Sequence, residues 1–100
     1  MRIRLLPNAE TDLELAADFY ESQREGLGDY FLTSLISDLE SLKLFAGVHE
    51  QSFGFHRSIS KRFPFAIYYR VEKQTVDVYA VLDCRRNPKS IQGRLEDESA

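Results

Sequence analysis

One hundred residues with 43% hydrophobic and 29% charged side chains, five glycines and three prolines suit a single ordinary globular domain and leave no room for two separate cores. This composition excludes a disordered chain, and no apolar run approaches the roughly 20 residues that a membrane-spanning helix needs. The net charge of -3 conceals a split: residues 1–50 carry four Lys/Arg against ten Asp/Glu, residues 51–95 nine against three. An anionic partner is therefore expected on the back half.

In chain order, RIRLL at 2–6 alternates charged and apolar residues and stops at Pro7, as a short strand does. Asn8 is placed to cap the following helix, with Glu10 and Asp12 favourable to its dipole. Leu13, Ala16, Ala17 and Tyr20 recur at helical spacing, while Glu10, Glu14, Asp18 and Glu21 line another face. Gly26 and Gly28 mark a tight turn. Beyond it Leu32, Leu35, Ile36, Leu39, Leu42 and Phe45 form a second apolar stripe that ends before Gly47. So short a connection implies an antiparallel helical hairpin.

From residue 53 the period changes to two. FGFHRSIS, PFAIYYRV and TVDVYAVLD read as three strands, the last two joined by the hairpin-length EKQ. Pro64 lacks an amide proton and belongs at a strand start or an edge. Asn87 and Pro88 open a short last helix, and the acidic EDESA is expected to fray. The expected organisation is one domain over 1–95 and a flexible tail over 96–100. Such an order buries its apolar faces by laying the helical hairpin on a mostly antiparallel, twisted sheet, an α+β fold.

The stretch KRFPFAIYYRV, 61–71, concentrates cations and rings. Alternation puts Phe63, Phe65, Ile67 and Tyr69 on one face and Pro64, Ala66, Tyr68 and Arg70 on the other. The first set, with Val76, Val78 and Val81, is expected under the helices, leaving Tyr68 and Arg70 to look outward. Stacking of nucleic-acid bases on these rings is thereby disfavoured. The single cysteine, Cys84, has no partner for a disulfide and no neighbouring Cys or His for a metal site, and reads as a small buried or rim residue. It fits a reducing compartment, and the start MRIRLLPNAE has no long apolar core, so the expected location is the cytoplasm, with no membrane association.

Three segments in this order, PNAETDLELAADFYESQREGLGDYF, KRFPFAIYYRV and VYAVLDCRRNP, resemble the RelE/ParE superfamily of small bacterial toxins, the ParE (plasmid-stabilisation) branch in particular. The resemblance runs from about residue 3 to residue 95. It implies a RelE/ParE toxin fold without metal or organic cofactor, held inactive by a cognate antitoxin whose acidic, partly disordered C-terminal segment wraps the helices and sheet. Characterised ParE-branch toxins act on DNA gyrase; the RelE branch cleaves messenger RNA on the ribosome.

Residues must choose between these targets. Cutting RNA with its own 2′-hydroxyl needs a proton acceptor, cations for the phosphate charge and an acid for the leaving oxygen. Arg57, Lys61, Arg62, Arg70, Arg85 and Arg86 can supply cations. RelE-type nucleases generally carry a Tyr or His after the last strand, and here residues 85–100 contain neither. Asp83 and Cys84 stand where many relatives read His and a small residue. Tyr68, Tyr69 and His56 are the remaining proton carriers, against which stands the ordinary packing role of strand Tyr and His. The expectation is therefore a gyrase-directed toxin that binds target and antitoxin through Arg57, Lys61, Arg62, Arg70, Arg85 and Arg86, without covalent chemistry. The alternatives are an endonuclease using Lys61, Arg62, Arg70 and Arg85 with Tyr68 or His56, and a non-toxic chain that keeps the antitoxin-binding surface.

Overall fold

The computed structural model describes all of residues 1–100, which run β1 (Arg2–Leu5), α1 (Pro7–Gln23), α2 (Leu27–Phe45), β2 (Gln51–Ser52), β3 (Phe55–Ile59), β4 (Phe65–Glu72), β5 (Thr75–Asp83) and α3 (Pro88–Ser99). The five strands form one sheet in the order β1-β5-β4-β3-β2. β1 runs parallel to β5 and every other neighbouring pair is antiparallel. No helix is long and apolar enough to cross a membrane.

The helical hairpin covers one face of the sheet. Ala9, Leu13 and Ala17 of α1 and Phe31, Leu35, Leu39 and Leu42 of α2 close over Phe65, Ile67, Tyr69, Val76, Val78 and Val81. Phe63 is half-buried against this cluster, so the first face of KRFPFAIYYRV packs as its alternation requires. The α2 stripe is rotated from the expected one. Phe31 leads it, Ile36 is 54% exposed because it lies one residue, about 100° of helix, beyond Leu35, and Phe45, the last residue of α2, is 55% exposed.

Local chemistry sets the joints. Pro7 occupies the first turn of α1, where its missing N–H costs nothing, and Leu6 stands at the N-cap without a side-chain bond. Asn8 is therefore not the cap; its amide donates to Glu98 Oε2 at 2.9 Å. At the α1–α2 turn the Glu21 carboxylate accepts from the Gly26 and Gly28 N–H groups at 3.0 and 2.9 Å. A Cβ on Gly28 would sit 2.7 Å from the Ala17 carbonyl oxygen, so glycine there sets how closely the helices approach.

Two expectations along the back half are corrected. FGFHRSIS is not one strand: Phe53 (φ 53°) and Gly54 (φ 85°) form a two-residue turn between β2 and β3, with Ser52 paired to Phe55. The tail, expected to lie outside any element, belongs to α3, which continues to Ser99. Asn87 caps that helix by accepting from the Lys89 N–H, with Pro88 at the first position. Ile91 and Leu95 of α3 press on Phe55, Ala66, Tyr68, Ala80 and Leu82, a second core on the opposite sheet face. Tyr68 is thus 2% exposed and not outward-looking. A bulge at Tyr79, where Tyr68 pairs with Ala80 but Tyr69 with Val78, turns both Tyr79 and Ala80 toward this second core.

Candidate functional site

The register gathers four cations at one end of the sheet. Ile59 pairs with Ala66 and Phe65 with Asp83, and the Cys84 N–H donates to the Pro64 carbonyl at 2.7 Å. The loop bearing Lys61 and Arg62 and the turn bearing Arg85 and Arg86 therefore stand side by side. Arg57 belongs to the other sheet face, where its Nε donates to the Tyr68 hydroxyl at 3.2 Å and its Nη2 to Cys84 Sγ at 3.6 Å. The Tyr68 bond lifts the Arg57 guanidinium further above its ordinary value.

Arg70 does not join them. It pairs in register with Asp77 toward the opposite end of the sheet. Its Nε donates to the Gly54 carbonyl at 3.1 Å, its Nη2 to Ser99 Oγ at 3.0 Å, and its guanidinium lies 4.1 Å over the Phe55 ring. Those contacts staple β4 to the β2–β3 turn and the end of α3, a structural use of the charge.

Arg85 and Arg86, expected to be free, are engaged. Arg85 forms a bidentate pair with Asp83, at 3.0 Å from Nε and 2.7 Å from Nη2, and its own N–H donates to the same carboxylate at 2.8 Å. The Arg85 bond holds Asp83 below the usual carboxylate range, and Asp83 raises Arg85 in turn. Arg86 Nη2 donates to Ser90 Oγ at 2.8 Å. Both arginines stay on the surface, where such contacts are readily exchanged for those of a partner. Lys61 and Arg62 have no ion pair at all.

The proton carriers of a nuclease are each engaged inside the fold. The Tyr68 hydroxyl is taken by Arg57 in the second core. His56 lies over Tyr69, ring centroids 5.1 Å apart, and its Nδ1–H donates to the His49 carbonyl at 2.8 Å. The Tyr69 hydroxyl accepts from the Gly47 N–H at 2.9 Å, which leaves its own proton for His49 Nδ1 at 2.6 Å. His49 must then be neutral, and burial, followed by the nearby His56, holds its pKa below the ordinary imidazole value. Burial also pushes the Tyr69 phenol up.

That geometry fixes a pH dependence. A His with a depressed folded pKa contributes stability that is fully present above its unfolded value, about 6.5, and is lost as pH falls through it toward the folded value. Unfolding midpoints in urea are expected to drop from pH 7 to pH 5, and His49→Asn, which can accept from Tyr69 without titrating, should flatten part of that drop.

A group of α2 residues joins the site without having been marked by the sequence pattern. Asp38 is buried and accepts from Ser60 Oγ at 2.6 Å and from the Lys61 N–H at 3.4 Å, which fixes the loop carrying the cations. Tyr30, Thr33, Ser34 and Ser37 line the same cleft, facing Lys61 and Arg62. The available signal was Ser34 and Asp38 at i and i+4 amid the buried stripe, polar residues where apolar ones are ordinary.

The fold is thus paired helices over one face of a mostly antiparallel sheet and a short helix over the other, with a basic end. A chain in the structure of the chromosomal ParDE TA system from P. aeruginosa has this fold, with a TM-score of 0.67 at 17% identity over 81% of this chain and 92% of that one. No protein-family model and no curated protein matches the chain.

Proposed function

We propose that this chain is the toxin of a type II toxin-antitoxin pair, ParE-like, acting in the cytoplasm on DNA gyrase and neutralised by a cognate antitoxin. The likeness to a chain of a ParDE system carries the reading, because it spans 92% of that chain and 81% of this one. Binding without covalent chemistry agrees with tyrosines whose hydroxyls are already bonded inside the fold.

Induced expression in a bacterial host is expected to stop growth with DNA-damage signalling and intact transcripts, and co-expression of the antitoxin should restore growth. Rapid loss of transcripts on translating ribosomes would replace this reading with a messenger RNA endonuclease. A second reading, an antitoxin-binding chain without toxicity, draws on the Arg85–Asp83 pair, which occupies an arginine that a target would want free. Unimpaired growth on induction would select it.

A further inference from the structure

We infer that the cleft between α2 and the β3–β4 loop is a carboxylate-binding subsite, seating an acidic side chain of a partner protein between Lys61, Arg62 and the α2 hydroxyls. The inference rests on the reading of this chain as one member of a protein pair. The cleft has a volume of ≈ 280 Å³, and Tyr30, Thr33, Ser34 and Ser37, all hydroxyl-bearing, line it at helical steps on one side of α2. Opposite stand Lys61 and Arg62, whose side chains form no ion pair.

Ser34 points to a ligand independently of charge. It is 6% exposed, and its Oγ finds no hydrogen-bond partner anywhere in the protein. A buried helical serine ordinarily bonds back to the preceding turn, and a buried polar atom left unpaired is costly. Its partner therefore comes from whatever fills the cleft it lines.

Asp38 decides the kind of anion. Its carboxylate forms the inner wall, so a doubly charged phosphate would meet a close negative charge, whereas a carboxylate brings a single charge to two cations. Asp38 and Lys61 also line an adjoining cleft of ≈ 230 Å³ with Phe45, Val48 and Ile59, all exposed apolar residues. One acidic side chain flanked by apolar ones matches that surface. A nucleic-acid strand, which needs cations along its whole path, does not.

The test is an amide chemical-shift titration of the full chain with the peptide acetyl-Leu-Glu-Ala-Leu-amide and with its Glu→Gln counterpart. The acidic peptide is expected to shift the amides of residues 33–38 and 60–62 saturably, and the Gln peptide to leave them in place. Lys61→Ala combined with Arg62→Ala should weaken binding about tenfold, and Ser34→Ala several-fold. The unfolding midpoint of Ser34→Ala should stay level or rise, since the substitution removes an unpaired buried hydroxyl; a serine serving only the fold would lower it. Absence of saturable shifts at millimolar peptide would overturn the inference. So would equal binding of inorganic phosphate or of a short RNA at the same amides. Failure of the chain to arrest growth would sink the toxin reading and leave the peptide result intact, while a neutralisable toxin whose cleft ignores the peptide would lose only this subsite.

Discussion

Phe31→Ala is expected to cost about 4 kcal/mol of stability, the usual range for deleting a fully buried aromatic ring. Phe31 is completely buried against three other rings. Its centroid lies 5.1 Å from Tyr20, 5.0 Å from Phe63 and 5.0 Å from Phe65, with Tyr30 completing the group 5.5 Å from Phe63. The ring is the contact through which α2 grips both α1 and the entry to β4, so the hole left by alanine borders three elements and no single one can close it. In a domain of this size the loss lowers Tm by roughly 20 °C, and the helical signal and the near-ultraviolet aromatic signal should melt together at the lower temperature. Phe31→Leu fills most of the volume and should cost about 1–1.5 kcal/mol, which separates ring geometry from simple filling. A Phe31→Ala protein within about 1 kcal/mol of the parent would mean that the hairpin does not bear on the sheet at this point. The same ring cluster holds Phe63, and Phe63 follows Lys61 and Arg62 directly in the chain. The variant should therefore also loosen the loop that presents those cations.

Two faces were legible because their signals are local. The 3.6-residue period of α1 and the two-residue period through Phe63, Phe65, Ile67 and Tyr69 each report one buried face, and both faces are where the period puts them. Features that depend on distant partners left no mark. The acidic end of α3 reads as solvated tail because what holds it, Asn8 to Glu98 and Asp12 to Arg94, lies 90 and 82 positions away. The β2–β3 turn escaped because Phe53, at its first position, adopts a left-handed conformation that favours glycine, asparagine or aspartate. Within the site, the basic end was readable as charge, but not which charges were free. Asp83, two residues before Arg85, captures it through turn geometry, and Arg70 was drawn to the Phe55 ring by packing that no spacing encodes. The hydroxyls of α2 were hidden for the opposite reason: in a helical pattern Thr33 and Ser37 look like the solvated side, Ser34 alone of the three interrupts the buried stripe, and only the fold of the β3–β4 loop puts them in front of Lys61 and Arg62.

Arg94→Ala should be the costliest single loss of charge in the molecule, at about 3 kcal/mol, the low end for breaking a buried pair. Its two terminal nitrogens grip Asp12 at 2.7 and 2.8 Å and its Nε holds Glu98 at 2.7 Å. The side chains of Arg94, Asp12 and Glu98 are only 21%, 11% and 10% exposed. Asp12 also accepts from the Val81 N–H at 2.9 Å, and Arg94 Nη2 reaches the Tyr79 carbonyl at 3.4 Å. One guanidinium thus ties α3 to α1 across the end of β5, and these contacts and the two carboxylates raise it well above its ordinary value. Deleting it leaves two shielded carboxylates facing each other's side of the gap with one N–H and one amide to answer them. Arg94→Met keeps the apolar stem and removes only the charge, so it should recover the packing share of the loss and little more. Thermal unfolding of the two variants measures the split, with Arg94→Ala expected near 10–20 °C below the parent. The neighbouring pair makes the contrast: Arg85→Ala removes an equally short bidentate contact, but one lying open to water, and Tm should hardly move. If the two arginines proved equally dispensable, α3 would not be anchored through Asp12, and Ile91 and Leu95 in the second core, with the Asn8–Glu98 and Arg70–Ser99 bonds, would have to hold it.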